Sequence, residues 1–104
     1  MIRVAILYPK TESSTFDMGY YLSKHVPLVL ARLSNMGLRR VDVDAGLGGV
    51  APGQPAPFAA IGYLIYDRVE DLQGGLATHG AELMGDIPNF TNVQPLIQVS
   101  QVER

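Results

Sequence analysis

Ile2 to Tyr8 is apolar at both parities, with Ile2, Val4, Ile6 and Tyr8 on one side and Ala5 and Leu7 on the other. β-Branched and aromatic residues favour extended backbone, so the run predicts a strand covered on both faces. Pro9 to Thr15 is polar and turn-like, and Asp17 stands where a carboxylate can accept the free N–H groups of a following helix. At about 100° per residue, Met18, Tyr21, Leu22, Leu28, Val29, Leu33 and Met36 share one helical face, with Tyr20, Ser23, Lys24, Ala31 and Ser34 opposite. Gly37 suits the left-handed position that ends such a helix. Pro27 conflicts with the carbonyl of Ser23 and biases Val26 away from helical dihedrals, so a kink or break is expected around His25 and Val26.

Arg40 to Ala45 alternates Val41, Val43 and Ala45 with Asp42 and Asp44, the pattern of a strand with one wet face. Gly46 to Pro57 is rich in Gly and Pro and reads as a surface loop. Phe58 to Tyr66 is a nearly continuous apolar run and predicts a central strand. Asp67 with Glu70 three residues on has the spacing of a capping box, and Val69, Leu72, Leu76, Leu83 and Ile87 then recur at helical spacing. This second helix runs to about Gly85, weakened in its middle by Gly74 and Gly75. After the turn at Asp86 to Asn89, Val93 to Val102 alternates as a last strand, with Pro95 tolerable at an edge or bulge.

The order β-α-β-β-α-β is that of an α+β ferredoxin-like fold, with two helices on one face of a four-stranded antiparallel sheet. Apolar residues at both parities of the first and third strands make the helix-free face greasy as well. Packing two such faces together predicts a C2 homodimer.

Composition narrows the field. The chain of 104 residues fits one domain. With 8 basic against 10 acidic residues and no cationic cluster, a nucleic-acid partner is not expected. No apolar run reaches the roughly 18 residues of a membrane span, and Met1 leads straight into strand pattern, so no membrane partner is expected and the location read is cytoplasmic. The absence of Cys excludes disulfides, thiolate metal sites and a Cys nucleophile.

The chemical equipment is spare. His25 falls in the middle of the first helix's apolar stripe, beside the Pro27 irregularity, where an inward imidazole can act as general acid or base or simply serve as a satisfied core residue. Arg32 lies two turns on and could hold a carboxylate or enolate oxygen, although an Arg head in water is the commoner outcome. Among the five tyrosines, Tyr8, Tyr21 and Tyr63 fall nearest a cavity between sheet and helix. His79 lies at the edge of the second helix's stripe, and two His with no third ligand are weak grounds for a metal. The Gly-rich loop lacks the Lys of a Walker loop and precedes no helix, so it reads as a lid or plain connection. Neither cofactor nor metal is expected.

The residues Tyr8-Pro9, Phe16-Asp17, Tyr20-Tyr21, His25 and Pro27-Leu28 resemble the N-terminal signature of the EthD family, and Asp86-Ile87-Pro88-Asn89-Phe90-Thr91-Asn92 is similar to its C-terminal segment. The resemblance implies a homodimeric α/β barrel, with a cavity in each subunit walled by His25 and neighbouring aromatic residues. It leaves the reaction open, because EthD-like proteins accompany ether-degrading oxygenases, while relatives of the same fold include muconolactone isomerases, polyketide cyclases, dehydratases and cofactor-free monooxygenases.

Two functions therefore compete. In one, the protein is a cofactor-free enzyme on a small hydrophobic, carbonyl-bearing or aromatic molecule, with His25 moving a proton and a Tyr or Arg32 steadying an oxyanion. In the other, it is a non-catalytic accessory or carrier protein supporting an oxygenase-based degradation system. A blander third reading makes the dimer a scaffold and His25 a core residue.

Overall fold

The computed structural model describes residues 1–104. Strands β1 (Ile2–Pro9), β2 (Leu38–Ala45), β3 (Phe58–Tyr66) and β4 (Leu96–Gln101) form one antiparallel sheet in the order β2-β3-β1-β4. The two strands apolar at both parities, β1 and β3, are the central ones, and the Pro95-led β4 is an edge. This is the α+β ferredoxin-like arrangement the element order predicts.

Register decides which side chains meet the helices. Val4 pairs with Leu64, Ile6 with Gly62 and Tyr8 with Ala60. These positions face inward, where Val4 and Leu64 pack with Val29, Leu33 and Leu72. On β2, Val41 and Val43 face the same way, while Asp42 and Asp44 face out.

The first helical region begins as expected. Asp17 caps α1 (Met18–Tyr20), its Oδ1 accepting the Tyr20 N–H at 3.0 Å. The region does not break at Pro27. Instead Tyr21–His25 forms a π turn, closed by the Val26 N–H bonding to the Tyr21 carbonyl, and α2 (Val26–Leu33) continues from it. Val26 keeps helical dihedrals of −59° and −45°, contrary to the bias expected of a residue before proline. The wider turn takes up the conflict between the Pro27 ring and the carbonyl four residues back. Within this turn Tyr21 and His25 are buried, while Leu22 points out at 51% exposure. A 3-10 turn (Ser34–Met36) then ends on Gly37 at φ 94°, the left-handed stop predicted.

Helix α3 (Val69–Asp86) runs unbroken through Gly74 and Gly75. Its N-cap is Arg68 in extended conformation, with no side-chain cap. Asp67 does not form the expected capping box, because its carboxylate is drawn across the sheet end to Arg39 at 3.1 Å. Gly75 is buried where α3 crosses α2, and a Cβ there would lie 3.0 Å from Leu33 Cδ2. The loop of residues 46–57 is a surface connection whose Leu47 and Val50 are fully exposed. No helix is long and apolar enough to cross a membrane.

Candidate functional site

Between the inward sheet face and the helices lies a cavity of about 80 Å³, several times the roughly 10–15 Å³ one water needs. Its wall is apolar almost throughout. Val4, Ile6, Leu64 and Ile97 come from the sheet, Val29 and Leu33 from α2, and Leu76, Leu83 and Met84 from α3. Leu76, Met84 and Ile97 are about half exposed and mark the open side. The polar groups brought to this wall are His25 and the phenols of Tyr8 and Tyr21.

His25 ends the π turn and is 6% exposed. Its ring stacks on Tyr21, with centroids 5.5 Å apart and planes 18° apart, and lies 4.6 Å from the Phe90 ring. Nδ1 sits 2.8 Å from Asp86 Oδ2 at the C-terminus of α3. Asp86 Oδ1 accepts from the Tyr20 hydroxyl at 2.8 Å and from the Asn89 amide at 2.9 Å. Burial works to raise the Asp86 pKa, but hydrogen bonds from Asn89, His25 and Tyr20 outweigh it and hold the carboxyl below the usual range. An ionised carboxylate only accepts, so Nδ1 is the donor in this bond; in the neutral imidazole the lone pair then sits on Nε2. Nε2 has no hydrogen-bond partner in the protein.

Tyr8 and Tyr21 sit in an aromatic cluster with Phe16 and Phe90, Tyr8 lying 5.7 Å from Tyr21 and 5.6 Å from Phe90. Burial first, and then the neighbouring Tyr21 phenol, push the Tyr8 pKa far up. Burial likewise raises Tyr21, against a hydrogen bond from Tyr8 that lowers it. Both stay neutral phenols, able to donate.

The segment after α3 is stitched to the loop before α1. Asp17 N donates to the Phe90 carbonyl at 2.7 Å, Thr91 Oγ1 to the Thr15 carbonyl at 2.7 Å, and Asn92 Nδ2 to the Ser13 carbonyl at 3.0 Å. These ties hold Phe90 against His25 and Asp86 beneath it.

Of the residues singled out from sequence, the fold brings His25, Tyr8 and Tyr21 together and leaves three elsewhere. Arg32 points along the outer seam between α2 and α3, where its guanidinium grips Glu82 at 2.8 and 3.2 Å in water. Tyr63 lies on the opposite face of the sheet, because β3 alternates and Leu64 takes the inward position; its ring is under Arg3, 5.8 Å away. His79 is half-buried on α3 but outside the cavity wall, which Leu76, Gly80 and Leu83 occupy. No three His, Asp or Glu side chains gather as a metal would require. Conversely Tyr20, Asp86, Asn89 and Phe90 belong to the site without having been marked as such. The signal was the Asp86–Asn92 segment, whose letters stand out but whose partners lie far away in sequence.

An antiparallel sheet with two helices on one face and an apolar, single-histidine cavity beneath them defines an α+β ferredoxin-like domain with an apolar interior cavity. Residues 9–94 match the EthD domain, and the chain belongs to that family. It is 41% identical to an EthD-like protein from Ralstonia eutropha, over 99% of this chain and 94% of that one, with a TM-score of 0.92. An ethyl tert-butyl ether D (EthD) family protein from Bacillus halodurans shares 23% identity over 98% of each chain, at a TM-score of 0.74. A protein from Bacteroides fragilis described as dimeric, of unknown function and ferredoxin-like shares the fold at 12% identity, covering 97% of this chain and 94% of that one, with a TM-score of 0.55. No curated protein matches the sequence.

Proposed function

We propose that this protein binds a small, uncharged, hydrophobic compound carrying a carbonyl or phenolic oxygen, and moves a proton on it with His25, without a cofactor. The observation that carries this reading is His25, whose Nε2 has no partner in the protein, lining a cavity whose other polar groups are only the Tyr8 and Tyr21 phenols. An imidazole base in water-poor surroundings suits proton abstraction beside a carbonyl, as in isomerisation, cyclisation or dehydration, or from a phenol before reaction with oxygen. The Tyr21 phenol, itself accepting from Tyr8, is the donor that would steady the developing oxyanion. Arg32, already paired with Glu82 in solvent, is not asked to hold it.

Uncharged ligands follow from the wall itself, since no Lys or Arg lines the cavity and a buried anion would go unpaired. The apolar lining equally suits a carrier that delivers such a compound to an oxygenase, and the same experiment separates the two. Wild-type protein and His25→Ala are incubated with a panel of hydrophobic ketones, lactones and phenols, and products are followed by NMR. Catalysis predicts products from the wild type and a loss of at least about 100-fold in the variant. Unchanged compounds that still bind point to the carrier. No binding by either protein contradicts both.

We further propose that two copies pair through the helix-free sheet face, where Ala5, Leu7, Ile61, Tyr63 and Leu96 form an apolar centre. Arg3, Arg40, Asp42 and Asp44 supply both charges around it.

A further inference from the structure

We propose that Asp86 is the positioning residue of this site, fixing the His25 imidazole as the Nδ1–H tautomer so that the Nε2 lone pair is presented to whatever enters the cavity. The claim extends the reading of His25 as the group that meets the ligand, and it concerns a residue 61 positions away.

A carboxylate on the last residue of a helix is in an unfavourable place, because the helix dipole and the free carbonyls there repel negative charge. Asp86 is nevertheless only 13% exposed at its side chain and faces three donors. The donors divide its two oxygens. Tyr20 and Asn89 both approach Oδ1, which leaves Oδ2 to His25 alone. Any partial turn of the carboxylate therefore weakens bonds at both oxygens at once. Asn89 follows Asp86 by one turn, and its amide also lies 3.4 Å from the Tyr20 hydroxyl, so the three groups brace one another. Tyr21 stacks on the imidazole and the Phe90 ring packs against it at a tilt. Ring plane, tautomer and free nitrogen are thus all set before a ligand arrives.

This arrangement makes a prediction that a plain structural tie does not. In Asp86→Asn, the amide oxygen best replaces Oδ1, where two donors wait, and the amide NH2 then faces His25 Nδ1. A donor there forces Nδ1 to become the acceptor and moves the proton to Nε2. The experiment is a long-range 1H–15N correlation spectrum of protein labelled at histidine nitrogen, recorded at pH 8 for wild type and Asp86→Asn, with p-cresol added afterwards. Expected are an Nδ1–H tautomer in the wild type, an Nε2–H tautomer in the variant, and p-cresol binding weakened at least about fivefold in the variant, where Nε2 can no longer accept the phenol proton. A wild-type ring protonated at Nε2 overturns the proposal without any variant, and so does Asp86→Asn with its tautomer unchanged. If p-cresol disturbs neither His25 nitrogen in the wild type, the ligand reading of His25 fails, while the tautomer comparison still decides the role of Asp86.

Discussion

Gly62 stands at the centre of β3 opposite Ile6, and the Tyr21 hydroxyl occupies the space a side chain there would take. A methyl group at this position overlaps that oxygen. Gly62→Ala is therefore expected to cost about 1–3 kcal/mol through overpacking, read as a lowered denaturant midpoint. Combining it with Tyr21→Phe should recover part of the loss, since the obstructing oxygen is gone; simple additivity of the two changes would count against this packing. The same close approach explains how far sequence could reach here. His25 and Tyr21 are visible as inward residues because they share one helical stripe, and their stacking is local. Tyr63 and Tyr66 both lie in an apolar strand, and nothing in the letters fixes which parity faces the helices. Asp86 reads as a turn residue, since the Tyr20 hydroxyl that holds it is 66 positions away.

Helix α3 carries two adjacent glycines in different circumstances. Gly74 is exposed with open space around it, whereas Gly75 is buried against Leu33, itself fully enclosed. Gly74→Ala should raise stability by about 0.5–1 kcal/mol through helix propensity alone. Gly75→Ala should fall short of that gain, because its Cβ would press on Leu33 Cδ2 at 3.0 Å and Leu33 must shift to accept it. Equal effects would show that α2 and α3 are not packed this closely. From sequence, the pair reads only as a weak point in a helix; its second member is what lets the two helices meet. Pro27 carries a related lesson. An irregularity near His25 is legible from the proline, but its form is not, since a wider turn and a break relieve the same clash. The π turn keeps the helix continuous and buries Tyr21 and His25 together, so the irregularity and the site coincide.

At the scale of the whole molecule, the element order and the double-sided apolarity of β1 and β3 were enough to give the four-stranded sheet, β3 as a central strand and both helices on one face. They also leave a sheet face with no helix over it. Pairing of two copies there predicts a mass in sedimentation of twice the 11.3 kDa chain, and Tyr63→Glu, placing a charge at the centre of that face, should shift it to the monomer. A monomeric wild type would remove the homodimer from the account. The most direct test of ligand binding in the cavity is a titration of the wild-type protein with p-cresol, followed through the methyl signals of Val29, Leu76, Leu83 and Ile97 together with the His25 ring. Saturable shifts at these positions, with those of the distant loop residues Leu47 and Val50 unmoved, are the predicted result. Shifts confined to the loop or the helix-free face, with the cavity methyls and His25 unchanged, would contradict it.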